Sequence, residues 1–393
     1  MTRVVDLPDP LPDGGRFLHI GLPKTGTTAL QQALDRARPE LERLGAHNVS
    51  RDAHEMRVGQ VAAGSLAEFW GDHWQGRWTE LAADFRTSAA RCTFWSSESL
   101  CQAPDDRIAY LAEQLGGDAH VVVTLRPLAP LLVSQWQQAL RRRGIRSLEE
   151  WAAAQFAEVS ASGELTGPPR RVMAPLQRFN VERIVREWGD VFGEHRVVLL
   201  APVADRSRNL RAFEALMGVP NGLLRPTEEG NESLPYPEAE TLRAFNRTYT
   251  ERDGDHPTWM RAINTGAREP LRQLARHTTP YPIRAPRWIA ERANEYAARW
   301  IDAVSATAAT VVGDLGGLLV DPAAFAEEVA PPERVSTESA GRLMDLVFDA
   351  GLREAARVPA ATRPADLTTY DGRRLVRELG TRLRRRLPGG GRR

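Results

Sequence analysis

Phe17–Leu34, FLHIGLPKTGTTALQQAL, is the stretch whose reading decides the fold. Arg16–Leu22 is a short apolar run that suits a buried strand. Gly21, Pro23, Lys24 and Gly26 then make a turn, and Thr27 opens a helical pattern that continues to about Leu44, where Gly45 supplies a C-terminal stop. A strand that turns so directly into a helix aims successive backbone N–H groups into one concavity, at the positive end of the helix dipole. Lys24 adds a full charge, and Thr25, Thr27 and Thr28 add hydroxyl donors. The combination suits a phosphate dianion. It differs from the nucleotide loop G-x-x-x-x-G-K-[ST], because here the lysine stands two residues before Gly26 and not at the helix start. The plain alternative is a tight turn with a solvated lysine.

Outward from this stretch, three more continuous apolar runs predict strands: Thr93–Ser97, His120–Arg126 (HVVVTLR) and Arg196–Val203 (RVVLLAPV). Between them lie an interrupted helical region from His54 to about Ala90, a helix over Pro127–Arg143, and helices near residues 147–158, 175–189 and 210–217. Uniformly apolar strands separated by helices predict an α/β fold, a parallel sheet flanked by helices on both faces. Beyond Asn221 helices dominate the pattern, over Glu238–Arg252, around Arg268–His277, over Pro286–Trp300 and over Glu338–Ala355. The expected organisation is a disordered lead-in over 1–15, a main domain over 16–305, a helical extension over 306–371 and a basic mobile tail over 372–393.

The 393 residues are 42% hydrophobic and 26% charged, ordinary for a globular protein with a sizeable core. No apolar run approaches membrane-spanning length, and the first residues show no export-signal pattern, so the expected location is cytoplasmic. Cys92 and Cys101 are too few for a disulfide framework or a four-ligand zinc site, and no metal is expected. A net charge of +1 excludes a global field that attracts nucleic acid. The C-terminal 22 residues are the exception, with nine arginines and one glutamate. They suit an anionic membrane or polyanion, but a solvated terminus is the simpler reading. All but one of the 52 basic residues are arginines, and the single lysine is Lys24.

PKTGTT resembles the 5'-phosphosulfate loop of the sulfotransferases that use 3'-phosphoadenosine 5'-phosphosulfate (PAPS). In HVVVTLRPLAPLLVSQ, Arg126 ends a strand and Ser134 follows eight residues later inside a helix, similar to that family's 3'-phosphate element. Glu187–Val203 and Phe213–Pro220 resemble later helix–strand segments of the family, so the likeness covers roughly Phe17 to Gly218. Arg225–Leu234, with Asn246 beyond it, is loosely similar to a cofactor-covering loop and brings in Arg225 and Asn231. The lysine-bearing K-x-G-x-x-G-x-W-K pattern of cytosolic animal members is absent, so the kin implied are bacterial and carbohydrate-type enzymes. The resemblance implies PAPS as sulfuryl donor, a P-loop-like sulfotransferase fold, and a sugar, glycolipid or natural-product hydroxyl as acceptor. Lys24, Thr25, Gly26, Thr27, Thr28, Arg126 and Ser134 would bind the donor, with Lys24 also stabilising charge on the leaving group.

Transfer to a hydroxyl also needs a general base, and the family uses histidine or glutamate. Histidine as a residue type titrates near neutrality, which suits His54 to the role, and Glu98 ends a strand in FWSSESL, so both are candidates and the choice stays open. His47, His73 and Glu55 are reserves. Trp70, Trp74 and Trp78 share a helical face, which suits core packing better than an acceptor wall. Two other readings stand beside a sulfotransferase: a nucleotide-dependent kinase with an atypical loop, and a non-catalytic nucleotide- or polyanion-binding protein. The oligomeric state is open.

Overall fold

The computed structural model describes residues 2–65, 71–167, 173–203, 205, 207–226, 233–260, 263, 282–337, 340–345 and 347–348. Seven parallel strands form one sheet: β1 (Arg3–Val5), β2 (Gly15–His19), β3 (Ala46–Asn48), β4 (Cys92–Ser96), β5 (His120–Thr124), β6 (Val197–Leu200) and β7 (Thr310–Val312). Their order is β1-β7-β6-β5-β2-β4-β3. The four strands expected from apolar runs are β2, β4, β5 and β6, and they occupy adjacent central places. Burial on both faces favours apolar residues on both sides of such strands and not on alternate positions only. Phe17 and Leu18 point to opposite sides, as do Val122 and Val123 and the pair Val198 and Leu199, and each side has its own apolar core.

Helices α1 (Thr27–Arg36), α2 (Arg38–Arg43) and the later Ser207–Met217 cover the face bearing Phe17. The other face packs against α3 (Met56–Ala62), α4 (Gly71–Thr87), α5 (Asp105–Leu115), α6 (Leu128–Leu140), α7 (Leu148–Glu158), α8 (Pro175–Arg178) and α9 (Val181–Phe192). If Ser207–Met217 is α10, then Tyr236–Glu251 is α11, His256–Trp259 is α12 and Arg287–Ser305 is α13. The helix expected to run unbroken from Thr27 to Leu44 is two helices, because Pro39 lacks the N–H that would bond back into α1. Helix α5, absent from the expected elements, opens on a start signal, Pro104 before Asp105 and Asp106.

Two expectations about the ends need correction. The lead-in expected to be disordered over 1–15 is ordered over the described residues 2–15: β1 pairs with β7, Leu11 is buried, and its N–H donates to the Leu216 carbonyl at 3.0 Å. The stretch after residue 305 does not begin as a helical extension. Thr310–Val312 enters the sheet between β1 and β6 and is bonded on both sides. Strands of three residues show no periodicity, and the partners that make them strands lie far away in sequence. Within Glu338–Ala355, residues 340–345 are helical. The basic tail and the Arg268–His277 segment lie outside the described residues.

The chain leaves β2 for strands on one side of it and later returns to β5 on the other side. That reversal opens a crevice at the carboxyl ends of β2, β4 and β5, where open α/β sheets bind ligands. His19, the last residue of β2, is fully buried between Ser96 of β4 and Thr124 of β5, with ring nitrogens 2.8 Å from each hydroxyl. Burial pushes its pKa down to about 3, against a smaller upward pull from the Gly21 backbone. The unfolded chain binds a proton near the ordinary value of about 6.5, so stability is intact above that pH and falls as pH drops from there toward about 3. Between pH 7 and pH 5 His19 alone should remove about 2 kcal/mol, at ~1.4 kcal/mol per pH unit. Urea unfolding at the two pH values should show that loss in the wild type and a correspondingly smaller one in His19→Asn.

Candidate functional site

The loop between β2 and α1 is fastened to the end of β5 by main-chain and side-chain bonds. Leu22 N–H donates to the Thr124 carbonyl at 3.0 Å, and Thr124 N–H donates to the Gly21 carbonyl at 2.5 Å. Arg126, just past β5, donates Nη1 to the Lys24 carbonyl at 2.8 Å. Thr25 Oγ1 closes the turn from within by donating to the Leu22 carbonyl at 2.5 Å. Gly21 has φ 105°, and a Cβ there would lie 3.3 Å from the Glu98 Cβ, so glycine permits both the turn and the close approach of Glu98. Gly26 precedes α1 with φ 97° and a Cβ would meet nothing within 4 Å, which leaves that side of the loop open.

Lys24 adopts φ 69°, a left-handed conformation that costs a side-chain-bearing residue about 1–2 kcal/mol. Such strain persists where the surroundings enforce it, and functional loops are where it gathers. Helix α1 has no side-chain cap and no acidic residue in its own first turn. Its first-turn N–H groups therefore present positive character to the loop.

Glu98 opens a 3-10 turn, Glu98–Gln102, and its Oε2 accepts a short hydrogen bond from Thr27 Oγ1. The turn is braced from below by Arg183, which is buried with Glu187 as its ion-pair partner. Arg183 Nη2 donates to the Cys101 carbonyl at 2.8 Å. Removing one member of such a buried pair costs about 3–5 kcal/mol, so the turn carrying Glu98 is firmly held. Cys101 and Cys92 are buried thiols pushed up to about 12 by desolvation, which leaves them unreactive.

His54 lies in the loop between β3 and α3, and its Nδ1 is 2.7 Å from Gln31 Oε1. The orientation of that amide is determined by its other end. Gln31 Nε2 donates to the Ser96 main-chain carbonyl at 3.1 Å, an atom that only accepts. Oε1 therefore faces His54, Nδ1 must carry the proton, and in the neutral ring Nε2 carries the lone pair. Thr27 and Gln31 are one turn apart on α1, so α1 brings Glu98 and His54 to a single helix face.

The reserve residues have structural roles. His47 has Glu42 at 2.8 Å and Asp84 at 3.0 Å on its two nitrogens. Burial lowers its pKa, but the hydrogen bonds to both carboxylates outweigh that and raise it, leaving no lone pair for a base. Glu55 is buried in a two-pronged ion pair with Arg77 that braces the loop beside His54. Trp78 is core, its ring tilted against Trp95 at 5.5 Å with Nε1 on Tyr110, and Trp74 packs against the same core. Ser134 sits partly exposed on α6 with its hydroxyl donating to the Pro130 carbonyl at 3.2 Å. Arg225 is exposed, and Asn246 is a buried strut between α6 and α11. Trp70, Asn231 and the His73 side chain lie outside the described residues. Among the described residues no cluster of three or more His, Cys, Asp or Glu is placed to hold a metal, and no helix is long and apolar enough to cross a membrane.

No protein-family model matches the chain, and no curated protein matches it. Among solved structures it is similar to a sulfotransferase from Alicyclobacillus acidocaldarius, at 17% sequence identity over 64% of this chain and 99% of that one, with a TM-score of 0.37. A likeness this distant carries no argument about function, which rests on the geometry of the site itself.

Gln31 is the residue that sequence reasoning missed, because a glutamine inside a helix carries no signal of its contacts. Nitrogen-15 NMR of the wild type should show His54 as the Nδ1–H tautomer. In Gln31→Leu the ring should revert toward the Nε2–H form that a free imidazole prefers.

Proposed function

We propose that this protein is a sulfotransferase that moves a sulfuryl group from PAPS to a hydroxyl of a carbohydrate, glycolipid or natural-product acceptor. The observation that carries the reading is the loop Leu22–Thr28. It is fastened to β5 by Arg126, strained at Lys24, open at Gly26 and backed by an α1 N-terminus with no side-chain cap. A phosphate at that point receives main-chain N–H groups and the Lys24 ammonium. A guanidinium has five N–H donors, so Arg126 can hold the Lys24 carbonyl and still face a second phosphate.

PAPS supplies an activated sulfuryl group, and the residues of this chain do the rest. The acceptor oxygen forms a bond to sulfur as the bond from sulfur to the 5'-phosphate oxygen breaks. The electron pair departs with 3',5'-adenosine bisphosphate. Lys24 offsets the charge growing on that leaving oxygen, an electrostatic contribution. The acceptor proton goes to His54 Nε2 or to the Glu98 carboxylate, the two groups that α1 gathers. Lys24 and Arg126 provide the positive charge, so the reading invokes no metal.

Calorimetric titration with 3',5'-adenosine bisphosphate and with ATP tests this. The wild type should bind the bisphosphate in the micromolar range and ATP far more weakly, and Lys24→Ala should lose at least about tenfold in affinity, or ~1.4 kcal/mol. Glu98→Gln and His54→Asn should keep the bisphosphate. At least one of them should lower turnover by on the order of 10²-fold. Tight ATP binding, or binding of neither ligand, contradicts the reading.

A further inference from the structure

A cleft of about 390 Å³ opens at the C-terminal end of α6, and its charge is one-sided. Arg142, Arg143, Arg146 and Arg178 line it, with two glutamines and an indole among their neighbours, and among the described residues no carboxylate does. Three of these arginines belong to the turn Leu140–Arg146, which is held rigid from several sides. Asn246, fully buried, donates Nδ2 to the carbonyls of Leu140 at 2.8 Å and Gly144 at 2.7 Å. Trp136 Nε1 donates to the Arg146 carbonyl at 3.0 Å. Arg143 is itself a strut, with Nη1 on the Gly254 carbonyl at 2.6 Å and Nε on Thr250 Oγ1 at 3.2 Å.

Arg142 and Arg178 are placed differently. Arg178 donates Nη1 to Gln102 Oε1 at a long 3.4 Å, and its buried Nε has no hydrogen-bond partner. Arg142 stands at the rim of the same cleft with no carboxylate partner among the described residues. Burial pulls the Arg178 guanidinium below its ordinary range and the like charge of Arg142 adds to the effect, while Cys101 and the Glu98 carboxylate act the other way. Arg178 is a partly buried cation with one N–H that has no partner, and beside it stands the exposed guanidinium of Arg142; an anion between them would satisfy the first and offset the repulsion of the two.

The cleft adjoins the proposed reaction centre. Gln102, which meets Arg178, closes the 3-10 turn that Glu98 opens, a separation of roughly 8 Å at the rise of such a turn. Gln138, on the cleft wall, lies one turn along α6 from Ser134, about 6 Å.

We propose that this cleft binds an anionic substituent of the acceptor, a carboxylate or sulfate on the sugar that presents the hydroxyl. The role as acceptor subsite rests on the sulfotransferase reading; the anion site itself does not. The Arg142 and Arg178 guanidinium groups take the oxygens of the anion through paired N–H bonds, as guanidinium does for carboxylate and sulfate. The Gln135 and Gln138 amides meet ring hydroxyls, and nearly buried Trp151 closes the floor.

The test is calorimetric, on the full chain as wild type, Arg142→Gln and Arg178→Gln. Glucose 6-sulfate, glucuronate and glucose are titrated in the presence of saturating 3',5'-adenosine bisphosphate, and the bisphosphate and inorganic sulfate are titrated alone. At least one anionic sugar should bind at least tenfold tighter than glucose, and either substitution should abolish that preference while bisphosphate affinity stays within twofold. Arg142 is at the rim, so its replacement does not threaten folding. Equal binding of charged and neutral sugars, or a preference that survives both substitutions, overturns the proposal. So does a matching loss of bisphosphate affinity, which would make the cleft part of the donor site. If the wild type binds no bisphosphate, the sulfotransferase reading and the acceptor role fail together. Arginine-dependent binding of inorganic sulfate then separates that failure from failure of the anion site.

Discussion

The hydrogen bond from Arg126 to the Lys24 carbonyl is the constraint on which the site depends. It joins the strand end of β5 to the one side-chain-bearing residue of the loop held in a left-handed conformation. With the bonds between Thr124 and the Gly21–Leu22 segment, it makes the loop an extension of the sheet. A loop held this way has already lost the freedom that binding would otherwise take from it, so affinity for an anion is not offset by ordering. The same bond gives Arg126 a structural role besides the phosphate contact that its place at a strand end suggests.

Helix α1 acts as the ruler of the site. Its N-terminus faces the loop, Thr27 holds Glu98, and Gln31 one turn on holds His54. Gln31 is in turn fixed by Ser96, which lies beside the buried ring of His19. A continuous chain of hydrogen bonds thus runs from Thr124 in β5 through His19, Ser96 and Gln31 to His54. Buried polar chains of this kind fix orientation when every member is satisfied. The neutral, desolvated His19 at the centre of the sheet gives that rigidity a cost at acid pH.

The central sheet and the phosphate loop were legible in the sequence, and the physical reason is the same for both. Strands β2, β4, β5 and β6 are buried on two faces and are apolar through their middles, and PKTGTT places a glycine, a lysine and threonines where a strand meets a helix. Strands β1, β3 and β7 were not legible, because three residues carry no pattern and their pairing is decided by distant chain. The Arg-rich cleft was hidden in another way. The run Arg141–Arg143 looks like any solvated charge cluster, and nothing local foretells that Asn246, more than a hundred residues on, clamps that turn. Glu55 and His47 were visible as candidates, but their ion-pair partners on α4 were not.

The most direct measurement is a crystal structure of the protein with 3',5'-adenosine bisphosphate. The account predicts the 5'-phosphate within hydrogen-bonding distance of the Lys24–Thr28 N–H groups and the Lys24 ammonium, with the 3'-phosphate on Arg126 and Ser134. A nucleotide bound elsewhere, or a loop empty at millimolar ligand, would contradict it.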